Sequence, residues 1–482
     1  MRIQYLLARY DNLSKPTKAS LWFIACYVIQ RGLQFFSMPI YTRIMSTAEY
    51  GTYSVFLSWF NLLCVFSSMN IYAGTFNKAM IRYEERRDSY ISSIQWLTLL
   101  IGVLFSAIIL IFNSWITGKT GFSLKLQLLL CLHLVSFPSL QYWSQKQRFL
   151  FEYKKLVLIT LINSIASLVI GIVFVLFSED KAFSLIAVTV GVQVIINGII
   201  FFSLLKKGKT FFNKDFWVWT MLMALPLIPH YLSEILLGHA DRLMINQMFG
   251  PSKAGIYNIV YQISMVMTII RTGINGSYAP WLYYSLKKEK YKDVRKVSKL
   301  IAILMCVITL LFMLIGPEIL KLAAPPTYYE AVIGIPAIMV GSFYIFIYVL
   351  FMYVEVYYEK AHFVAIASIV AAITNVTLNY VFLSIYGYIA AAYTTMFSYM
   401  VMAFIHYLFF RLIQRINPAL SVVYDVKFLF TLSVFLLFVG AVLIEIYPFS
   451  FIRWCIIFLL MGIIILKRRK IALIFKTLKD RE

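Results

Sequence analysis

Residues 156–177, from Leu156 to Phe177, read LVLITLINSIASLVIGIVFVLF and contain no charged side chain. Lys154 and Lys155 stand immediately before the run, and Glu179 and Asp180 lie just beyond it. A helix needs roughly 20 mainly apolar residues to cross a bilayer, so this stretch reads as a membrane span. It is continuously apolar instead of alternating, which excludes a strand of a transmembrane barrel. Comparable runs lie on both sides of it, at 19–41, 52–75, 91–114, 122–144, 182–205, 216–238, 254–277, 300–317, 328–353, 361–383, 387–410, 426–447 and 450–466. Together they predict about fourteen spans. A helix satisfies its own backbone polar groups in lipid, so an all-α integral membrane protein is expected.

Composition agrees. The chain has 482 residues, is 61% hydrophobic and only 13% charged, against roughly a quarter charged in a soluble domain. Its mean hydropathy is +0.80. A cytosolic enzyme, a secreted domain and a disordered chain are excluded. Cys26, Cys64, Cys131, Cys306 and Cys455 lie in or beside apolar runs without metal-ligand spacing, and read as small hydrophobes. No metal site or cofactor is implied. Residues 1–18 carry Arg2, Arg9, Lys15 and Lys18, and the span that follows is too long for a signal core. An uncleaved first helix is expected.

The net charge of +23 follows the loops. Roughly 35 of the 44 Lys and Arg residues fall on the side that holds the N-terminus, and about 8 on the other. Arg43, Lys119, Lys125, Lys181, Arg242, Lys253, Lys321 and Arg453 make up the poorer side. The positive-inside rule places both termini in the cytoplasm of a multi-pass inner-membrane protein and favours an even span count. The charge is topological, and no nucleic-acid partner is expected. The basic stretch Leu286–Leu300 and the basic tail 467–482 read as solvated loops that also face membrane lipid.

Two segments resemble each other about 204 residues apart. IMSTAEYGTY (44–53) and MFGPSKAGIY (248–257) align Gly51 with Gly255 and Tyr53 with Tyr257. Tyr153-Lys154 and Glu359-Lys360 repeat at nearly the same offset. The unit is then six spans, entered from the same side, as in transporters built of parallel repeats. The expected organisation is an N-lobe at 1–205, a C-lobe at 216–410, two appended helices at 426–466 and the tail at 467–482, with a lobe boundary in Lys206–Lys214.

Ionisable groups deep in spans cost about 2.5–3.5 kcal/mol on insertion scales, so each carries information. Arg31 lies about 20 Å into the first span by helix rise. It faces either a polar cavity or a structural partner such as Glu234. Arg271 is some 22 Å deep if its helix starts near Ile256, and interfacial if the span ends near Gly276; both readings stand. The seventh span carries Pro226, Pro229, His230 and Glu234. The last two share a helix face, which reads either as a hinge with a protonatable pair or as a packed helix with one His–Glu contact. Asp241, with Arg242, is expected at the outer mouth of that span. Glu355 reads as interfacial, and His133 and His406 as satisfied core histidines. The chain lacks a phosphate loop, a nucleophile elbow and a zinc-protease motif. A transporter is expected, not an enzyme.

The segment PIYTRIMSTAEYGTY (39–53) is similar to the start of bacterial polysaccharide flippases. So are DRLMINQMFGPSKAGIY (241–257) and NVTLNYVFLSIYGYIAAA (375–392). Over residues 15–466 the chain resembles this family, which belongs with lipid II flippases and multidrug and toxin extrusion exporters in one superfamily. The resemblance implies two six-helix lobes around a cationic cavity, alternating access, and an undecaprenyl-pyrophosphate-linked O-antigen, capsule or exopolysaccharide unit as cargo. Glycan polymerase machinery is the implied partner, and Arg31 the implied cavity arginine. At Tyr388-Ile-Ala-Ala the chain departs from the family's Gly–Ala-rich step, although Gly387 and Ala391 still offer a small-residue contact. The alternatives are a cation-coupled multidrug exporter, a lipid II flippase, and a membrane-embedded glycan polymerase or ligase. A drug exporter would favour deep carboxylates over arginines. A polymerase would need a large outer loop.

Overall fold

A computed structural model describes residues 14–466. The tail 467–482, Arg2 and Arg9 lie outside the described residues. Among the described residues the chain is helical and contains no strand. Each expected run is a helix or a helix pair. They are α1 (Lys15–Ile44), α2 (Thr47–Ser68), α3 (Arg87–Ile111), α4 (Leu124–Phe149), α5 (Tyr153–Leu176), α6 (Lys181–Gly208), α7 (Lys214–Ala224) and α8 (Ile228–Phe249). They continue with α9 (Pro251–Lys287), α10 (Tyr291–Ala323), α11 (Ile335–Tyr357), α12 (Ala361–Tyr386), α13 (Ala390–Ile416), α14 (Val426–Ile446) and α15 (Ser450–Leu466). The seventh run is split near its middle, into α7 and α8.

Ten of the helical stretches are long and apolar enough to cross a membrane, counting α7 and α8 as one. The four expected spans outside that number are α1, α2, α9 and α15. α15 is short, at 17 residues. α1 carries Lys15, Lys18, Gln30, Arg31, Gln34 and Arg43, and α2 is rich in Ser, Thr and Asn. α9 holds Arg271 with several Ser, Thr, Asn and Gln residues. Polar side chains, not broken helices, separate α1, α2 and α9 from the ten.

Local chemistry sets the helix starts. Ser46 and Glu49 form a reciprocal capping box at α2, which satisfies two otherwise orphaned N–H groups. Asp180, Asn213 and Asp425 accept the first-turn N–H groups of α6, α7 and α14. α9 begins at Pro251, directly after Gly250 at φ +83°. That left-handed conformation is open to glycine at little steric cost. The helix then runs unbroken through Pro280.

The chain packs as two compact units, one ending at Ile235 and the other starting at Leu236. In the first, α6 packs on α4, α5 and α3, and α1 lies along α5. Its core includes Tyr90, Tyr142, Phe76 and Phe216. The 206–214 segment is pinned inside this unit. Ser92 Oγ donates to Thr210 O at 2.9 Å, and Trp217 Nε1 donates to Ser93 O at 3.1 Å. In the second unit α11 is the central helix, packed against α13, α9, α10 and α14. α5 shows how the outside is built: Ile162, Ile165, Val169, Val173 and Leu176 are exposed along it. That spacing is one helix face, which suits lipid rather than water.

Candidate functional site

In the first unit, Arg31 sits in the middle of α1. Its Nη1 donates to Gln34 Oε1 at 3.0 Å, and the guanidinium lies 5.3 Å from the centroid of the Tyr27 ring. Gln30 Nε2 reaches Ser164 Oγ on α5 at 3.4 Å. Tyr27, Gln30, Arg31 and Gln34 recur at three- and four-residue spacing, so they share one face of the helix. A polar stripe on a membrane helix has to face protein, water or ligand.

Pro226 lies in the 3-10 turn Leu225–Leu227, and Pro229 is the second residue of α8. The two prolines remove backbone donors and break the path between α7 and α8. Ser233 Oγ donates to the Pro229 carbonyl at 2.7 Å, within the first turn of α8. One turn on, His230 Nε2 lies 3.9 Å from Glu234 Oε1. His230 is mostly covered and Glu234 is the more exposed partner. His230 Nδ1 is buried with no hydrogen-bond partner among the described residues.

The second unit holds a denser polar cluster around Asp241, which α8 carries inward. Asp241 is 2% exposed and Arg242 is 4% exposed, so neither stands at the outer mouth expected from the sequence. α8 continues to Phe249, which places both residues well before its end. Asp241 accepts hydrogen bonds from Tyr257 Oη at 2.5 Å, Thr395 Oγ1 at 2.7 Å and Asn379 Nδ2 at 2.7 Å. Asn375 Nδ2 donates to Thr395 Oγ1 at 2.9 Å, and Thr394 Oγ1 donates to Asn379 Oδ1. Four helices, α8, α9, α12 and α13, thus converge on one carboxylate. Several hydrogen bonds to the ionised form are what make a buried carboxylate tolerable. Arg242 Nη1 donates to Asn258 Oδ1 at 3.2 Å, Nη2 donates to the Gly238 carbonyl, and the guanidinium lies 4.4 Å from the Tyr261 ring centroid.

Arg271 is also in the second unit. α9 extends 37 residues to Lys287, so Arg271 lies mid-helix, about 24 Å from that end by helix rise. Its Nη1 is buried and has no hydrogen-bond partner among the described residues. Tyr353 and Tyr399 lie close enough to sense its charge.

The expected site residues therefore form two sets. Arg31, Pro226, Pro229, His230 and Glu234 belong to the first unit, and Asp241 and Arg271 to the second. Asn375, Asn379, Thr395 and Tyr257 were not singled out as site residues by sequence reasoning. The available signal was two asparagines four apart in an otherwise apolar span, hence on one helix face. Glu355, near the C-terminal end of α11, is fully buried against His406. His133 pairs through Nε2 with Gln193 Oε1 at 2.6 Å and stacks on Phe60.

Against known proteins, the family described as polysaccharide biosynthesis protein matches residues 17–286, more than half of the chain. The MatE family matches residues 226–381. The Lsg locus putative protein 1 of Haemophilus influenzae (strain ATCC 51907 / DSM 11121 / KW20 / Rd) is 35% identical over 97 residues. That stretch is 20% of this chain and spans only about a quarter (24%) of the relative. Among solved structures, the lipid II flippase MurJ in an inward closed conformation superposes with a TM-score of 0.73 at 13% identity, covering 94% of this chain and 99% of that one. An inward-facing multidrug resistance MATE family transporter gives 0.62 at 11% identity, over 81% and 95% of the two chains. These likenesses are of fold. With the family match across more than half of its length, this multi-pass membrane protein belongs to the polysaccharide biosynthesis protein family of the multidrug/oligosaccharidyl-lipid/polysaccharide exporter superfamily.

Proposed function

We propose that the chain is a flippase, not an enzyme. Its cargo in this reading is an undecaprenyl-pyrophosphate-linked oligosaccharide unit of O-antigen, capsule or exopolysaccharide. It moves that unit across the bacterial inner membrane by alternating access, with both termini cytoplasmic and the glycan polymerase machinery downstream. The observation that carries the reading is Arg271, a mid-helix guanidinium whose buried Nη1 has no hydrogen-bond partner among the described residues. Such a donor in a low-dielectric setting fits a bidentate phosphate oxygen pair. Arg31 supplies a second deep guanidinium. Family membership over residues 17–286 supports a role in polysaccharide assembly. In this reading residues 1–205 and 216–410 are the two six-span repeats, and 426–466 is the appendix. The tight α1–α2 and α8–α9 turns, at matching places in the repeated motif, support that division.

The Asp241 cluster favours a coupled transporter. A carboxylate ringed by Tyr257, Asn379 and Thr395 oxygen and nitrogen atoms is suited to exchange a proton or a small cation as its helices shift. The pair His230–Glu234, beside Pro226 and Pro229, is the second coupling candidate and the hinge. Deletion of the gene, with complementation by wild-type and Arg271→Ala chains, tests the cargo. Loss of surface glycan with lipid-linked oligosaccharide accumulating inside supports it. Unchanged surface glycan together with raised sensitivity to cationic drugs would transfer the chain to the exporter reading.

A further inference from the structure

The start of α1 and the turn between α4 and α5 line an open surface cavity of about 550 Å³. Lys15, Lys18, Lys154 and Lys155 line it, and Glu152 is the one carboxylate among the lining residues. Four ammonium groups against one carboxylate leave a net charge of about +3 in a space of ligand size. Their mutual repulsion is relieved by a multivalent anion. Two helices begin at its edge, and α5 has no side-chain cap at Glu152. Its first N–H groups therefore add to the positive end.

The site is held together by packing. Trp22 of α1 stacks on Tyr153, the first residue of α5, at 6.2 Å between ring centroids and 7° between planes. Phe151, at φ 56°, turns the chain into α5. Trp22 and Phe151 are each 41% exposed. α5 is one of the stretches long and apolar enough to span the membrane, so the cavity opens at the end of a span. Exposed aromatics beside lysines at that level are the pattern of a bilayer interface, where lysine clusters attract anionic lipid.

We propose that this cavity binds the phosphate group of an anionic lipid headgroup. The chemistry recognised is a phosphate ester carried on a diacyl lipid, with the lysines acting as point charges. The site is separate from Arg31 and Arg271 and does not depend on the cargo assigned above. Its place at a helix start suits capture or anchoring at the membrane surface.

The test uses the full chain in nanodiscs of phosphatidylcholine. Phosphatidylglycerol or inorganic pyrophosphate is titrated, and binding is read by native mass spectrometry and by tryptophan fluorescence. Phosphatidylglycerol is expected to bind and to change the fluorescence. Trp22→Phe should remove that change without removing binding. The combined change Lys15→Gln, Lys18→Gln, Lys154→Gln and Lys155→Gln should weaken binding at least about tenfold. The same four positions as Arg should retain binding, which separates charge loss from misfolding. Lys287→Gln with Lys288→Gln, outside the cavity, should leave it unchanged. Phosphatidylglycerol binding that survives the four Gln changes overturns the proposal. Pyrophosphate binding as tightly as the lipid, and displacing it, overturns the lipid assignment in favour of a free phosphate ligand.

Discussion

His406 Nδ1 lies 2.9 Å from each carboxylate oxygen of Glu355, and both side chains are fully buried where α13 crosses α11. The imidazole also stacks on Tyr348, with 5.3 Å between ring centroids. The pair fastens the two most central helices of the second unit. Removing one partner leaves the other polar group uncompensated. Glu355→Ala or His406→Ala alone should destabilise the chain by about 3–5 kcal/mol, whereas Glu355→Met with His406→Leu should recover most of the loss. Thermal melting in detergent measures both, and additive losses in the double variant would count against a coupled pair.

Arg31 and Arg271 are expected to act on cargo instead of on folding. Arg31→Lys and Arg271→Lys should keep part of the surface glycan, because charge remains while bidentate geometry is lost. The alanine variants should lose about tenfold or more of transport, with membrane abundance near wild type. Should Arg31→Ala fail to fold and Glu234→Gln restore it, Arg31 is a structural ion-pair partner and its assignment to cargo is withdrawn.

Asp241→Asn keeps the size of the side chain and removes its charge. We expect near-normal abundance, because Tyr257, Asn379 and Thr395 can still hydrogen-bond an amide. Transport in proteoliposomes should lose its dependence on an imposed ion gradient. A variant that responds to the gradient as wild type does would exclude Asp241 from coupling.

Asp425 caps α14 and receives Lys299 Nζ at 2.5 Å and Arg295 Nη2 at 2.7 Å. The Lys299 hydrogen bond first, and then Arg295, hold its carboxyl well below the usual range. A group lowered on folding stabilises the native state above its unfolded pKa, about 3.9 for Asp, and this is lost as pH falls through the folded value. Melting temperature should therefore drop below about pH 4 more steeply in wild type than in Asp425→Asn. Asparagine retains the cap, so the difference isolates the charge. Parallel pH profiles would show that the ion pairs contribute nothing.

Gly208 ends α6 against α3. A Cβ there would lie 2.1 Å from the Asp88 carbonyl oxygen and 2.4 Å from Ser92 Cβ. The nearest atom is backbone and cannot rotate away. Gly208→Ala should lower stability by about 1–3 kcal/mol, read as a fall in melting temperature, with no change at Gly191→Ala, where the space is open.

Fourteen helical stretches, an all-α membrane fold and the polysaccharide family were legible in the sequence by itself. Lipid imposes one condition on every span, an internally bonded apolar helix, and that condition is written locally in runs such as Leu156–Phe177. The break at Pro226 and Pro229 was legible for the same reason, since proline acts on its own backbone. What only the tertiary structure decided is which polar groups meet. Asp241 and Asn379 are 138 residues apart, and Glu355 and His406 are 51 apart. Lys15 meets Lys154 across most of the first unit's sequence. Asp241-Arg242 after an apolar run looks like a surface pair, until α8 proves long enough to carry it inward. That Arg271 Nη1 is buried without a hydrogen-bond partner among the described residues was likewise not readable from its own helix. Hydropathy reports whether a residue can enter the bilayer, but the partner that makes a buried charge tolerable is supplied by a different helix, and only packing brings the two together.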